Sequence, residues 1–164
     1  MQYFSEYRSP LGMIILAADD EGLIGSWFDG QKYFKSGLTD DAVKKDTEIL
    51  RSAESWLDLY FSGIRPDFTP QLHLIGTDFQ EAVWNKLLQI PYGRTTTYGN
   101  IAKEIAGENS KGKASPQAVG GAVGHNPVSI IVPCHRVVGS KGQLTGYAGG
   151  LDRKQRLLEL EGAI

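Results

Sequence analysis

The chain has 164 residues and a mass of 18.0 kDa, room for one ordinary domain or two small ones, and 41% hydrophobic with 22% charged residues excludes a disordered, collagenous or coiled-coil protein. No apolar stretch approaches the roughly 20 residues of a membrane span. The N-terminus, with Glu6 and Arg8 close in, lacks the basic start and apolar core of a secretory signal, so a cytoplasmic protein without a membrane partner is expected. The net charge of −2 is unevenly divided: residues 1–78 hold 7 basic and 13 acidic side chains, residues 79–164 hold 10 and 6, and the second part suits a polyanion.

In chain order, alternation and turn residues predict strands over residues 2–9, 13–19 and 23–29, separated by Pro10–Gly12 and Asp20–Gly22 and ended by Gly30, a three-strand antiparallel meander. Apolar residues at Val43, Ile49, Leu50, Ala53, Trp56, Leu57, Tyr60 and Phe61 follow a helical period over 41–61, closed by Gly63. Past Pro66 and Pro70, a short strand over 72–75 leads to a helix over 79–89 that Thr77 or Asp78 can cap. After the turn Ile90-Pro91-Tyr92-Gly93, Thr97 offers the cap of a short helix through 101–106. A polar loop over 107–113 and a helix from Ser115 or Pro116 through Val123 complete a helix-turn-helix pattern. The second of these helices is rich in Gly and Ala, poor helix formers in the first case, and such a face lets another surface approach closely, whether a neighbouring helix or a ligand. Asn126-Pro127 then turns the chain into an apolar run, 128–132, read as a buried strand ending at Pro133-Cys134-His135-Arg136. A glycine-rich segment, 142–150, precedes a closing helix over 152–161. The fold class expected is α+β: a small antiparallel sheet with a helix in a support domain, residues 1–76, then a mainly helical domain, residues 77–164, with the helix-turn-helix and an active-site loop.

Cys134 is the one cysteine, so no internal disulfide and no multi-cysteine zinc site can form; neither metal nor cofactor is expected. A buried thiol is ordinarily a small hydrophobe. Here His135 supplies a base and Arg136 a positive charge, either of which favours the thiolate, and Glu159 and Glu161 are candidates to orient the histidine. Neighbours in a strand point to opposite faces, so Cys134 and His135 meet only where the backbone turns.

Six collinear motifs carry a resemblance. Ile90-Pro91-Tyr92-Gly93, Thr97-Tyr98-Gly99, Ala118-Val119-Gly120-Gly121-Ala122, Asn126-Pro127, residues 133–139 and Gly146-Tyr147-Ala148-Gly149-Gly150, followed by Leu157-Leu158 and Glu161-Gly162, resemble the O6-alkylguanine-DNA alkyltransferase family over residues 77–164. The first 76 residues match it in layout only. The resemblance implies a single-use, irreversible transfer from O6 of guanine, and also O4 of thymine, in alkylated double-stranded DNA to Cys134, by a protein acting as a monomer. It implies that His135 relays the thiol proton through a water while Glu161 orients it, and that Tyr98 donates to N3 of the base. The backbone at Tyr147 and Ala148 would receive O6, the carbonyls of Cys134 and Val137 the exocyclic amine, and Asn126 would steady the turn before the active loop. Flipping the nucleotide out costs a few kcal/mol. The small face of the second helix, Ala118, Gly120 and Gly121, would enter the minor groove, and the residue before it would fill the vacated stack. The family has arginine there, whereas this chain has Gln117.

Two other readings compete. A helix-turn-helix regulator would carry long polar side chains on its second helix for the major groove, where this chain has Ala and Gly. A thiol hydrolase would use the same Cys and His for acyl transfer and would turn over.

Overall fold

The computed structural model describes residues 1–108 and 114–164, which fall into two compact units; the part of the expected 107–113 loop at residues 109–113 lies outside the described residues, and Gly107 and Glu108 belong to a helix. The first unit contains Met1–Ile75 and Pro127–Ile131. Three strands, β1 (Tyr3–Ser9), β2 (Gly12–Ala18) and β3 (Leu23–Phe28), form the expected meander, with β1 and β2 in register from Tyr3↔Ala18 to Ser9↔Gly12. A fourth strand, β4 (Val43–Lys44), pairs parallel to β1, so the sheet is mixed, in the order β3-β2-β1-β4, rather than purely antiparallel. The helical period over 41–61 extends too far back for that reason. Helix α1 spans Glu48–Phe61, and Thr47 caps it by accepting from the Leu50 N–H.

Alternation divides the sheet into two buried faces. Ile15, Ala17, Ile24 and Trp27 form one cluster, with Phe34 and Leu38 packed against it. On the other face, Ser5 and Tyr7 lie opposite Leu16 and Ile14 and donate hydrogen bonds to Glu54 and Asp58 of α1. Fully burying side chains such as Leu50, Leu57 and Leu16 contributes about 1.5–3 kcal/mol each. Residues 72–75 form only one bridge, Leu72 to Leu23, not a strand.

The apolar run at 128–132 is not a strand either. Val128 makes a single parallel bridge to Ser26, after which the Ile131 N–H turns back to the Ser129 carbonyl at 2.9 Å around Ile130, whose φ is +73°. That is a γ-turn of the strained hand, rare for a β-branched residue and costing about 1–3 kcal/mol. Ile130 is held in it by complete burial and by the Ser129 N–H donating to Ser26 at 3.0 Å.

The second unit contains Gly76–Asn126 and Val132–Ile164. Its helices are α2 (Asp78–Leu88), α3 (Tyr98–Glu108), α4 (Pro116–Gly124) and α5 (Leu151–Leu160), with a 3-10 turn at Cys134–Arg136. Thr77 and Gln80 make a reciprocal capping box on α2, Thr97 caps α3 through the Asn100 N–H at 3.0 Å, and Ser115 caps α4. Trp84 of α2 donates its indole N–H to the Ala122 carbonyl of α4 at 2.8 Å. Two short parallel strands absent from the sequence reading, β5 (Thr96–Thr97) and β6 (Val137–Val138), set the start of α3 beside the residues that follow the cysteine.

Candidate active site

The site lies within the second unit. Pro133 (φ −83°, ψ +64°) makes an inverse γ-turn in which the Cys134 N–H donates to Val132 at 2.8 Å, and the chain continues into the 3-10 turn at Cys134–Arg136. The backbone therefore turns at the point where a strand would have sent Cys134 and His135 to opposite faces. Both are buried, Cys134 with 5% of its surface exposed and His135 with none.

Glu161 caps the end of α5 and organises the charges. Its Oε2 lies 2.5 Å from Nε2 of His135, and its Oε1 accepts from Nε of Arg136 at 2.8 Å and from the Gly93 N–H at 3.0 Å. Arg136 also donates to the Ile90 carbonyl at 2.8 Å and stands over the Tyr92 ring, which accounts for the Ile90-Pro91-Tyr92-Gly93 motif. Burial alone would raise the Glu161 carboxyl, but His135 and Arg136 outweigh it and hold it down at about 2. The carboxylate fixes the histidine tautomer: Nε2 carries the proton it donates, leaving Nδ1 as the basic nitrogen. Burial, opposed by Glu161, lowers the His135 pKa, so the ring rests neutral. Glu159, the other candidate for this role, is exposed and bonded to Gln155.

Burial raises the Cys134 pKa, while a hydrogen bond from Asn126 and the charge of Lys154 act in the opposite direction. The resting thiol is protonated. The expectation that Arg136 would favour the thiolate is corrected here, because its guanidinium is committed to Glu161 and Ile90; the cation acting on the sulfur is Lys154. Asn126 also donates Nδ2 to the Val132 carbonyl at 2.9 Å, tying the end of α4 to the chain before the cysteine.

Lys154 is fully buried and was missed by sequence reasoning. Its Nζ donates to the carbonyls of Val137, Thr145 and Gly146 at 2.6, 2.9 and 3.2 Å. The available signal was its helical spacing, three and four residues before Leu157 and Leu158, which puts a charge on the buried stripe of α5. Tyr98, at the start of α3, donates its hydroxyl to Thr145 at 2.9 Å, and an added Cβ at Gly146 would come within 3.6 Å of that hydroxyl. Tyr98, Cys134, Val137 and the 145–146 loop are thereby brought together. The Cys134 carbonyl accepts from the Val137 N–H, and that of Val137 accepts from Lys154; each carbonyl has a second lone pair. Tyr147 and Ala148 are partly buried in the same loop.

On α4, Gln117, Ala118 and Gly121 are exposed, and Gly120 lies against the Tyr98 ring, where an added Cβ would be 3.8 Å away. A Cβ added at Gly121 or Gly124 would meet no described atom within 4 Å. Packing against the described residues therefore explains neither glycine. Among the described residues no cluster of His, Cys, Asp and Glu could hold a metal ion, and no helix is long and apolar enough to cross a membrane.

Two family models match: the ribonuclease-like domain of 6-O-methylguanine DNA methyltransferase over residues 2–74, and the DNA binding domain of the same family over residues 78–163. A methylated-DNA–protein-cysteine methyltransferase of Methanosarcina acetivorans is 47% identical over 161 residues, 98% of this chain and 99% of the relative. One of Mycobacterium bovis is 43% identical over 161 residues, 98% of this chain and 93% of its own length. Among solved structures, Mycobacterium tuberculosis OGT in complex with DNA superposes with a TM-score of 0.83 at 42% identity, covering 98% of this chain and 93% of that one. With both family models matched along nearly the whole chain, and a cysteine, histidine and glutamate buried together where the motifs lie, this chain belongs to the 6-O-methylguanine DNA methyltransferase family.

Proposed function

We propose that this protein repairs DNA by taking an alkyl group from O6 of a damaged guanine in duplex DNA onto Sγ of Cys134, once per molecule. The observation that carries this reading is the buried cysteine followed by a histidine whose far nitrogen is pinned by Glu161, in a chain of this family. A stacked base cannot reach so buried a thiol, so the nucleotide leaves the duplex first, at a cost of a few kcal/mol. The exposed face of α4, with glycines that packing against the described residues does not require, suits close approach to the minor groove, with Gln117 entering the vacated stack.

In the pocket, the thiol proton passes through a water to Nδ1 of His135, and Glu161 stabilises the imidazolium. The sulfur attacks the alkyl carbon; the S–C bond forms as the C–O6 bond breaks, and its electron pair passes into the purine. Tyr98 gives its proton to N3 as that charge develops; the imidazolium proton then returns to the phenolate by way of water, so His135 and Tyr98 end neutral and the guanine leaves with a net gain of the proton the thiol gave up. The N–H groups at Tyr147 and Ala148 receive O6, and the second lone pairs of the Cys134 and Val137 carbonyls receive the exocyclic amine. The S–C bond of the thioether is not cleaved by water or by another thiol under ordinary conditions, and Cys134 is the sole cysteine, so the reaction ends after one turnover. Residues 77–164 carry DNA binding and transfer and residues 1–76 support them, in a cytoplasmic monomer.

Intact mass after incubation with O6-benzylguanine tests the reading: one benzyl adduct, on Cys134, is expected. Cys134→Ser is expected to abolish transfer and keep duplex binding; surviving transfer, or repeated turnover as in a thiol hydrolase, overturns it.

A further inference from the structure

A phenol has one hydrogen to donate. In this structure that of Tyr98 goes to the Thr145 carbonyl, so it cannot also go to an entering base. If Tyr98 turned to the base and nothing replaced it, the Thr145 carbonyl would lose its bond and the loop its anchor. A second donor is already in place: Nζ of Lys154 lies 2.9 Å from the same oxygen. Its other two donations, to Gly146 and to Val137, join the loop to β6 directly. All three ammonium hydrogens are thus used on carbonyls, which is what makes a fully buried lysine tolerable. Stabilising a thiolate from a distance would not require this three-point attachment, and neither would filling space beside Leu157 and Leu158.

We infer that Lys154 is a positioning residue: it fastens the loop at Thr145 and Gly146 to Val137, so that the Tyr98–Thr145 bond serves as an exchangeable latch that the entering base opens without releasing the loop. The inference rests on the reading of Tyr98 as the donor to the base. In the resting protein Tyr98 is bonded to Thr145; with substrate it changes partner while Thr145 keeps its bond to Lys154.

The test is a double-mutant cycle on the second-order rate of Cys134 alkylation by free O6-benzylguanine, which needs no nucleotide flipping. Tyr98→Phe and Lys154→Met are each expected to slow it about 100-fold. In the double variant, Tyr98→Phe should add less than about 2-fold, because without Lys154 the tyrosine stays committed to Thr145 and is no longer the donor. Losses that multiply to about 10,000-fold, or a Lys154→Met protein at the wild-type rate, overturn the inference. A Tyr98→Phe protein at the wild-type rate overturns the donor reading instead.

Hydrogen exchange of residues 144–148 in the unreacted proteins gives a second measurement. Tyr98→Phe should leave their protection unchanged, and Lys154→Met should reduce it. A loop loosened by Tyr98→Phe overturns the inference even where Lys154→Met does not fold.

Discussion

Gly121→Ala is expected to make the protein more stable and a poorer DNA binder. Gly121 lies inside α4 on its exposed side, and an added Cβ meets no described atom within 4 Å. Replacing glycine by alanine in an exposed helix interior gains about 0.8–1 kcal/mol, since glycine has more backbone freedom to lose on folding. For a chain of this length that corresponds to a rise in melting temperature of about 2–4 °C. Against a duplex the sign reverses. A methyl group forced into a close-packed contact costs about 1–3 kcal/mol, which weakens Kd about 5- to 150-fold. Anisotropy with a fixed duplex at fixed salt reads the affinity, and a thermal melt reads the stability. Reaction with the free base should not change, because Tyr98, Cys134 and Lys154 are untouched. Unchanged duplex binding refutes the assignment of this face to DNA, and a lower melting temperature refutes the statement that no described residue requires the glycine.

Gln117→Arg is expected to tighten duplex binding or speed repair within it while leaving the free-base reaction unchanged, since a longer cation can fill the stack and also meet a phosphate; an equal response of both substrates contradicts the placement of Gln117 at the vacated stack. At Ile130 the usual order of substitutions should invert: Ile130→Gly should be less destabilised in urea than Ile130→Ala, because only glycine adopts φ +73° without strain, and the reverse order contradicts the strained turn. Acid should destabilise the fold in two stages. Burial lowers the pKa of His135, and the partners of Glu161 hold its carboxyl at about 2, so the folded state binds fewer protons than the unfolded one as pH falls. Their stabilisation is complete above the unfolded histidine value of about 6.5, declines below it, and declines again as pH drops from about 4.5 towards 2. Urea midpoints that stay level from pH 7 to pH 4 contradict this.

The meander was legible because residues 2–29 alternate and their turns carry Pro, Gly and Asp. Thr97 and Ser115 were legible as caps, and Cys134 with its histidine as chemistry. The residues that escaped did so for physical reasons. A two-residue strand such as Val43–Lys44 has no period, and the acidic stretch around it reads as the first turns of α1. The run at 128–132 is buried on every side, so its apolar composition cannot distinguish a strand from a chain folded back at Ile130. Lys154 was hidden because lysine on a surface helix is ordinary, and its partners are backbone carbonyls that no side-chain pattern announces.

The buried charges explain why a thiol that rests neutral can still become a nucleophile. Among the described residues no carboxylate pairs with Lys154, whereas Glu161 is bonded by both Arg136 and His135. At rest the site therefore holds one carboxylate, two cations, one of them Lys154, whose pKa burial lowers to about 8, and two neutral groups, Cys134 and His135. If the thiol proton moves to His135, as proposed, a new anion appears in the field of Lys154 and a new cation appears against Glu161. The total charge is unchanged, the imidazolium forms against Glu161 and the thiolate in the field of Lys154, so little of the surrounding protein has to reorganise. Arg136 alone could not do this from its position on Glu161. In the proposed transfer the thiolate forms in the field of this second cation, which three carbonyls hold in place.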